Sequence, residues 1–162
     1  MRYLLALLIL SASATVASAD NCDNLVDRMT TAVPGLHFDG RAHTTVGLDA
    51  FNLHHANARQ VVVFCGPKLL TFNVYFQNGF PPPGYYELVG QMATASMKVS
   101  DDKVANIARE CARRARMAKD DEAAIEGGGI SVHCGSAGGA IHIIVVKKSV
   151  ASERVATAKA GE

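Results

Sequence analysis

The chain has 162 residues, with 16 Lys plus Arg against 15 Asp plus Glu, a formal net charge of +1. So even a balance gives no global attraction to nucleic acid or anionic lipid, and nucleic acid is not expected as a partner. The length suits one domain with a single core.

The first segment, MRYLLALLILSASATVASAD, has Arg2 as its positive start, an apolar run from Leu4 to Leu10, and Ala17 and Ala19 at the −3 and −1 places before Asp20. It reads as a secretory signal peptide, residues 1–19. The apolar run is shorter than the about 20 residues a spanning helix needs. No lipobox precedes Cys22. Removing 19 of the 162 residues leaves 143, with 15 basic against 15 acidic side chains and no stretch of membrane-spanning length. The expectation is an exported chain, periplasmic or extracellular.

Residues 21–33 carry Leu25, Met29 and Val33 at helical spacing before Pro34-Gly35 ends the pattern. The period then changes to two. HTTVGL (43–48), AFNLHH (50–55), RQVVVFC (59–65) and LLTFNVYF (69–76) are strand candidates. Pro81-Pro82-Pro83 cannot continue a sheet and forms a stiff crossover. Two helices follow. The first carries Tyr85, Leu88, Met92, Ser96 and Val99 on one side, and Gly90 makes it slim enough to lie close to a sheet. The second starts at the Ser100 cap, with acids in its first turn, and turns Val104, Ala108, Cys111 and Ala115 inward. Gly127-Gly128-Gly129 stops that helical region, and ISVHC and AIHIIVV return to strand periodicity around GSAGG. The tail ASERVATAKAGE lacks an apolar stripe and is expected to be frayed. The fold class is therefore α+β: one domain over 20–150, with an antiparallel sheet of about five to six strands, helices packed on one face, and a flexible tail over 151–162.

Four cysteines, Cys22, Cys65, Cys111 and Cys134, make an even count in an exported chain, which points to two disulfides. No CxxC pair supports a redox or zinc-knuckle motif. Three connectivities are possible. Cys22–Cys65 and Cys111–Cys134 are the expected pairs, each linking a helix to a strand.

The segment VHCGSAGGAIH (132–142) holds the densest set of reactive side chains. Neighbours on a strand point to opposite faces, so His133 is directed away from the Cys134 sulfur and cannot activate it. Ser136 lacks both the first glycine and the strand-to-helix context of a nucleophile elbow. The glycine triplet runs from helix into strand, the reverse of a phosphate loop. A two-residue turn at Ala137-Gly138 would place His133 directly opposite His142, Val132 opposite Ile143 and Cys134 opposite Ile141. Opposed imidazoles about 5 Å apart at Cβ can share a zinc or copper ion. His37, His43, His54 and His55 are candidates for the remaining ligands. Arg109, Arg113 and Arg116, beside Arg114 and Lys119, form a basic helix stripe that Glu110 and Asp120-Asp121-Glu122 neutralise.

Three functions fit these residues. The first is a small, disulfide-braced binding or interaction protein whose partner is a protein or a small molecule. The second is a metal-binding protein using His133 and His142. The third is a hydrolase assembled from distant residues such as Asp39, Asp49, Glu87 and the histidines. A pocket enclosing a histidine and a carboxylate favours the enzyme, and a flat apolar patch favours the module.

Overall fold

The structure is a computed structural model that describes residues 19–66, 69–77 and 79–148. Helix α1 (Ala19–Ala32) leads into a meander of β1 (His37–His43), β2 (Asp49–His55), β3 (Ala58–Cys65) and β4 (Leu70–Phe76). Helices α2 (Pro83–Met97) and α3 (Asp101–Met117) cross over to a second meander, β5 (Glu122–Gly127), β6 (Ile130–Ala137) and β7 (Ala140–Lys147). The strands form one antiparallel sheet in the order β1-β2-β3-β4-β7-β6-β5. β4 is therefore the middle strand, and the two meanders meet along the β4–β7 seam. The expected signal peptide, apart from Ala19, and the tail over 151–162 lie outside the described residues.

All three helices contribute to one core on one side of the sheet. Val61, Val63, Phe72, Val74, Ile143 and Val145 point into it and are fully buried, with Met29, Leu88, Met92, Ala108 and Ala115 from the helices. The Cys22–Cys65 disulfide ties α1 to β3, and Cys111–Cys134 ties α3 to β6, with Cα separations of 5.9 and 5.8 Å. The bridged residues are 43 and 23 apart in sequence. In the chain-entropy account such loops contribute about 4 and about 3.5 kcal/mol. Pro82 precedes α2 and Pro83 opens it, where the missing N–H costs nothing. Gly90 serves the other helix rather than the sheet: a methyl group there would collide with the Asp101 carbonyl, so glycine lets α3 start against α2.

The strands differ from the expectation in two places, and the second raises the count to seven. The residues HTTVGL do not form a strand beyond His43. Thr44 accepts a bond from the Leu48 N–H, Gly47 takes φ +75°, and Val46 is left 76% exposed, so the apparent alternation is a turn. The first strand instead lies earlier, at His37–His43. Second, the helical pattern ends at Met117, and Asp121 turns the chain at φ +56°. EAAIEG then pairs with β6 as β5 despite its alanine content. Its Ala123 and Ile125 pack against the core, and that burial outweighs helix propensity. Gly127-Gly128-Gly129 is thus the end of a strand and its turn, not a helix stop.

Tyr85 and Tyr86, adjacent on α2, are both buried but differ at the hydroxyl. Tyr85 donates to the Val74 carbonyl at 2.6 Å, whereas the Tyr86 hydroxyl is sealed without a partner. Burial pushes both phenols up, so both remain protonated near neutrality. Removing a satisfied buried donor costs more than removing an orphaned one. Tyr85→Phe is expected to lower stability by about 1–2 kcal/mol, and Tyr86→Phe to be neutral or slightly stabilising. Denaturant unfolding with the disulfides intact measures both. Equal losses would contradict the assignment.

Candidate functional site

Because side chains alternate along a strand, the residues between the core positions form a second face. Among the described residues no helix lies over it. The registers align it into three rows. The middle row runs Asn52, Val62, Asn73, Ile144, His133 across β2, β3, β4, β7 and β6. On one side lie Ala50, Phe64, Thr71, Val146, Ser131 and Glu126. On the other lie Gln60, Tyr75, His142, Gly135 and Glu122. Val62, Phe64, Ile144 and Val146 are half-buried only by their neighbours in the sheet. At the centre, on the middle residue of the middle strand, the Asn73 side-chain oxygen is sealed from solvent with no hydrogen-bond partner. The sequence held a signal for this face. VVVF and IIVV are apolar at both parities, as in strands covered on both sides, rather than alternating as in a half-exposed sheet.

His133 and His142 lie on this open face, but they are not opposed. The β6–β7 turn is Gly138-Gly139, with φ of +57° and +80°, rather than Ala137-Gly138. Two consecutive positive φ angles make the hairpin turn that suits the strand twist, and two glycines adopt it without steric cost. The turn centre moves by one residue. His133 therefore pairs with Ile144, His142 with Gly135, and Cys134 with Ile143. The two imidazoles also diverge. His133 shares a 2.9 Å hydrogen bond between Nε2 and the Ser131 hydroxyl, while the His142 ring lies across Gly135 where a Cβ would stand. A shallow depression of about 430 Å3 between them is lined by Asp120, Glu122, His133, His142 and Ile144.

The other histidines do not join them. His37 faces His54 across β1 and β2, three and four strands from β7, or about 14 Å and more. His43 bonds Asp49 at 2.7 Å on an exposed edge. His55 is fixed on both nitrogens: Nδ1 accepts from the Asn57 N–H, so Nε2 donates to the Pro34 carbonyl. Among the described residues no three His, Cys, Asp or Glu side chains come close enough together to hold a metal ion.

Hydrolytic raw material is likewise scattered. Asp49 is held by Arg41, which also bonds Asp23 of α1 and lies 5.1 Å above the Phe51 ring. Asp39 falls at the β1 bulge, and Glu87 is exposed on α2. The Ser131–His133 pair has a nucleophile–base separation, a contact the sequence did not suggest. Ser131 is only 7% exposed, however, and among the described residues no carboxylate bonds His133 to orient it.

On α3 the arginines are engaged within the fold. Arg113 and Arg114 both bond Glu110. Arg109 lies 5.3 Å over Tyr86 and Arg116 lies 4.9 Å over Phe80. Hydrogen bonds from Arg113 and then Arg114 hold the Glu110 carboxyl down at about 2. That attraction is present above the ordinary carboxylate range and is lost as pH falls toward 2. Salt screens it, because the group is at the surface.

The His142 ring position depends on Gly135 having no side chain. Gly135→Ala is expected to displace the ring, move the His142 imidazole resonances, and cost about 1 kcal/mol. His142→Ala in the same chain should restore the loss. Unmoved His142 resonances in Gly135→Ala would contradict the packing. Comparison with known protein families, with curated proteins and with solved structures finds no match to this chain.

Proposed function

We propose that this chain is an exported interaction module, braced by two disulfides, that docks a protein partner on the open face of its sheet. The observation that carries this reading is the apolar centre formed by Val62, Phe64, Ile144 and Val146, over which no described element packs. Its rim is polar: Glu122, Glu126 and His133 on one side, Asn52 and His54 on the other. An apolar centre within a polar rim is the anatomy of a protein–protein interface. Flatness favours a protein over a small molecule, which binds in concave pockets. All four cysteines are bridged, and disulfides persist in oxidising compartments. No described helix is long and apolar enough to cross a membrane. Together with the expected signal peptide, the two disulfides support export.

A photo-crosslinking residue substituted for Phe64 or Ile144, expressed in the producing cells, tests the reading. Adducts should form from both positions and not from Arg113 on the opposite, helical side. Failure at both open-face positions, or equal capture from Arg113, would sink it.

A further inference from the structure

Resting on that reading, we infer that the occupant of the open face is a second copy of this chain. The two-fold axis would run along β4 through Asn73.

Three observations point to self-pairing. The first is area. Seven strands at a spacing of about 4.8 Å, each about seven residues long at about 3.4 Å, give a face of roughly 800 Å2. A standard interface buries about that much per partner. The second is the placement of like and unlike groups about the centre. A two-fold axis along β4 lays β3 of one copy on β7 of the other, and β1 on β5. Val62 then meets Ile144, and Phe64 meets Val146, each contact made twice. His37 and His54 meet the edge that carries Glu122, an imidazole–carboxylate pairing. The perpendicular axis would instead set Glu122 against Glu126 and Phe64 against Gln60. Isologous packing therefore selects the first axis. Aligned sheets cross at about −30°, which keeps the central contacts and relaxes the outer ones.

The third observation is the orphan at the centre. On a two-fold axis a carboxamide is its own complement, with one N–H donor and one oxygen acceptor offered each way. Rotating the Asn73 amide outward about χ2 gives its unbonded oxygen a donor from the other copy. A buried polar atom without a partner is costly in a single chain, and the pairing removes that cost.

Sedimentation of the oxidised protein, alone and as variants, tests the proposal. The wild-type chain should be dimeric at micromolar concentration. Ile144→Glu should raise the dimer Kd by about a hundredfold or more, because each copy buries a new charge at the interface. Its far-UV spectrum and both disulfides should be unchanged. Asn73→Cys, on the axis, should be joined to its symmetry mate by a short bifunctional thiol crosslinker that spans the gap of about 10 Å between facing sheets, and Arg113→Cys should not. A chain that remains single at high concentration, or a dimer indifferent to Ile144→Glu, overturns self-pairing. If Ile144 crosslinks a different polypeptide while the chain sediments singly, self-pairing fails and the docking face stands. If positions 64 and 144 capture nothing, both readings fall.

Discussion

Cys65 and Cys134 sit on different strands, three apart in the sheet order, yet their side chains point to the same side, and each is bonded to a helix on that side. A strand has a period of two, so a slip of one residue would turn its whole inward set outward. The two bridges forbid that slip on β3 and β6. They thereby fix that Val61, Val63 and Val132 face the helices and that Val62, Phe64 and His133 do not. Backbone pairing carries the same parity through β4 and β7 between them. The helical layer and the open layer are consequences of one constraint.

Much of this was legible in the residues. The helical stripes located α2 and α3, although Val99 lies beyond the end of α2 and the second helical pattern runs on to the glycine triplet while α3 ends at Met117. β-Branched and aromatic runs marked β2, β3, β4, β6 and β7. The failures have local causes. HTTV alternates like a strand, but Gly47 and the Thr44 side chain fold it into a turn. EAAIEG reads as helix because alanine and glutamate favour helices, yet its inward residues gain more from packing on β6 than the backbone gains from helical bonds. The hairpin turn lies one residue beyond the expected Ala137-Gly138, because Gly139 belongs to the turn and not to the strand. The expected turn would have set the two histidines face to face. In the structure one is bound to Ser131 and the other rests on Gly135.

The open face was less legible because its signature was read only for strand identity. Runs such as VVVF and IIVV mark strands, and their lack of alternation leaves apolar side chains on both faces of the sheet. A face with an apolar middle and a charged border is a stable compromise. The border limits unspecific sticking, and Glu122 and Glu126 on β5 discourage edge-to-edge pairing by strand addition. The β1 edge is interrupted by its bulge near Asp39, which serves the same end.

The alternating coverage of the sheet can be measured residue by residue with a soluble paramagnet and methyl NMR, in protein dilute enough to be single copies. Val61, Val63, Ile143 and Val145 should be silent, while Val62, Ile144 and Val146, their immediate neighbours, should broaden strongly. Uniform protection of both sets, or broadening that follows chain segments instead of alternating along them, would contradict a sheet covered on one side only.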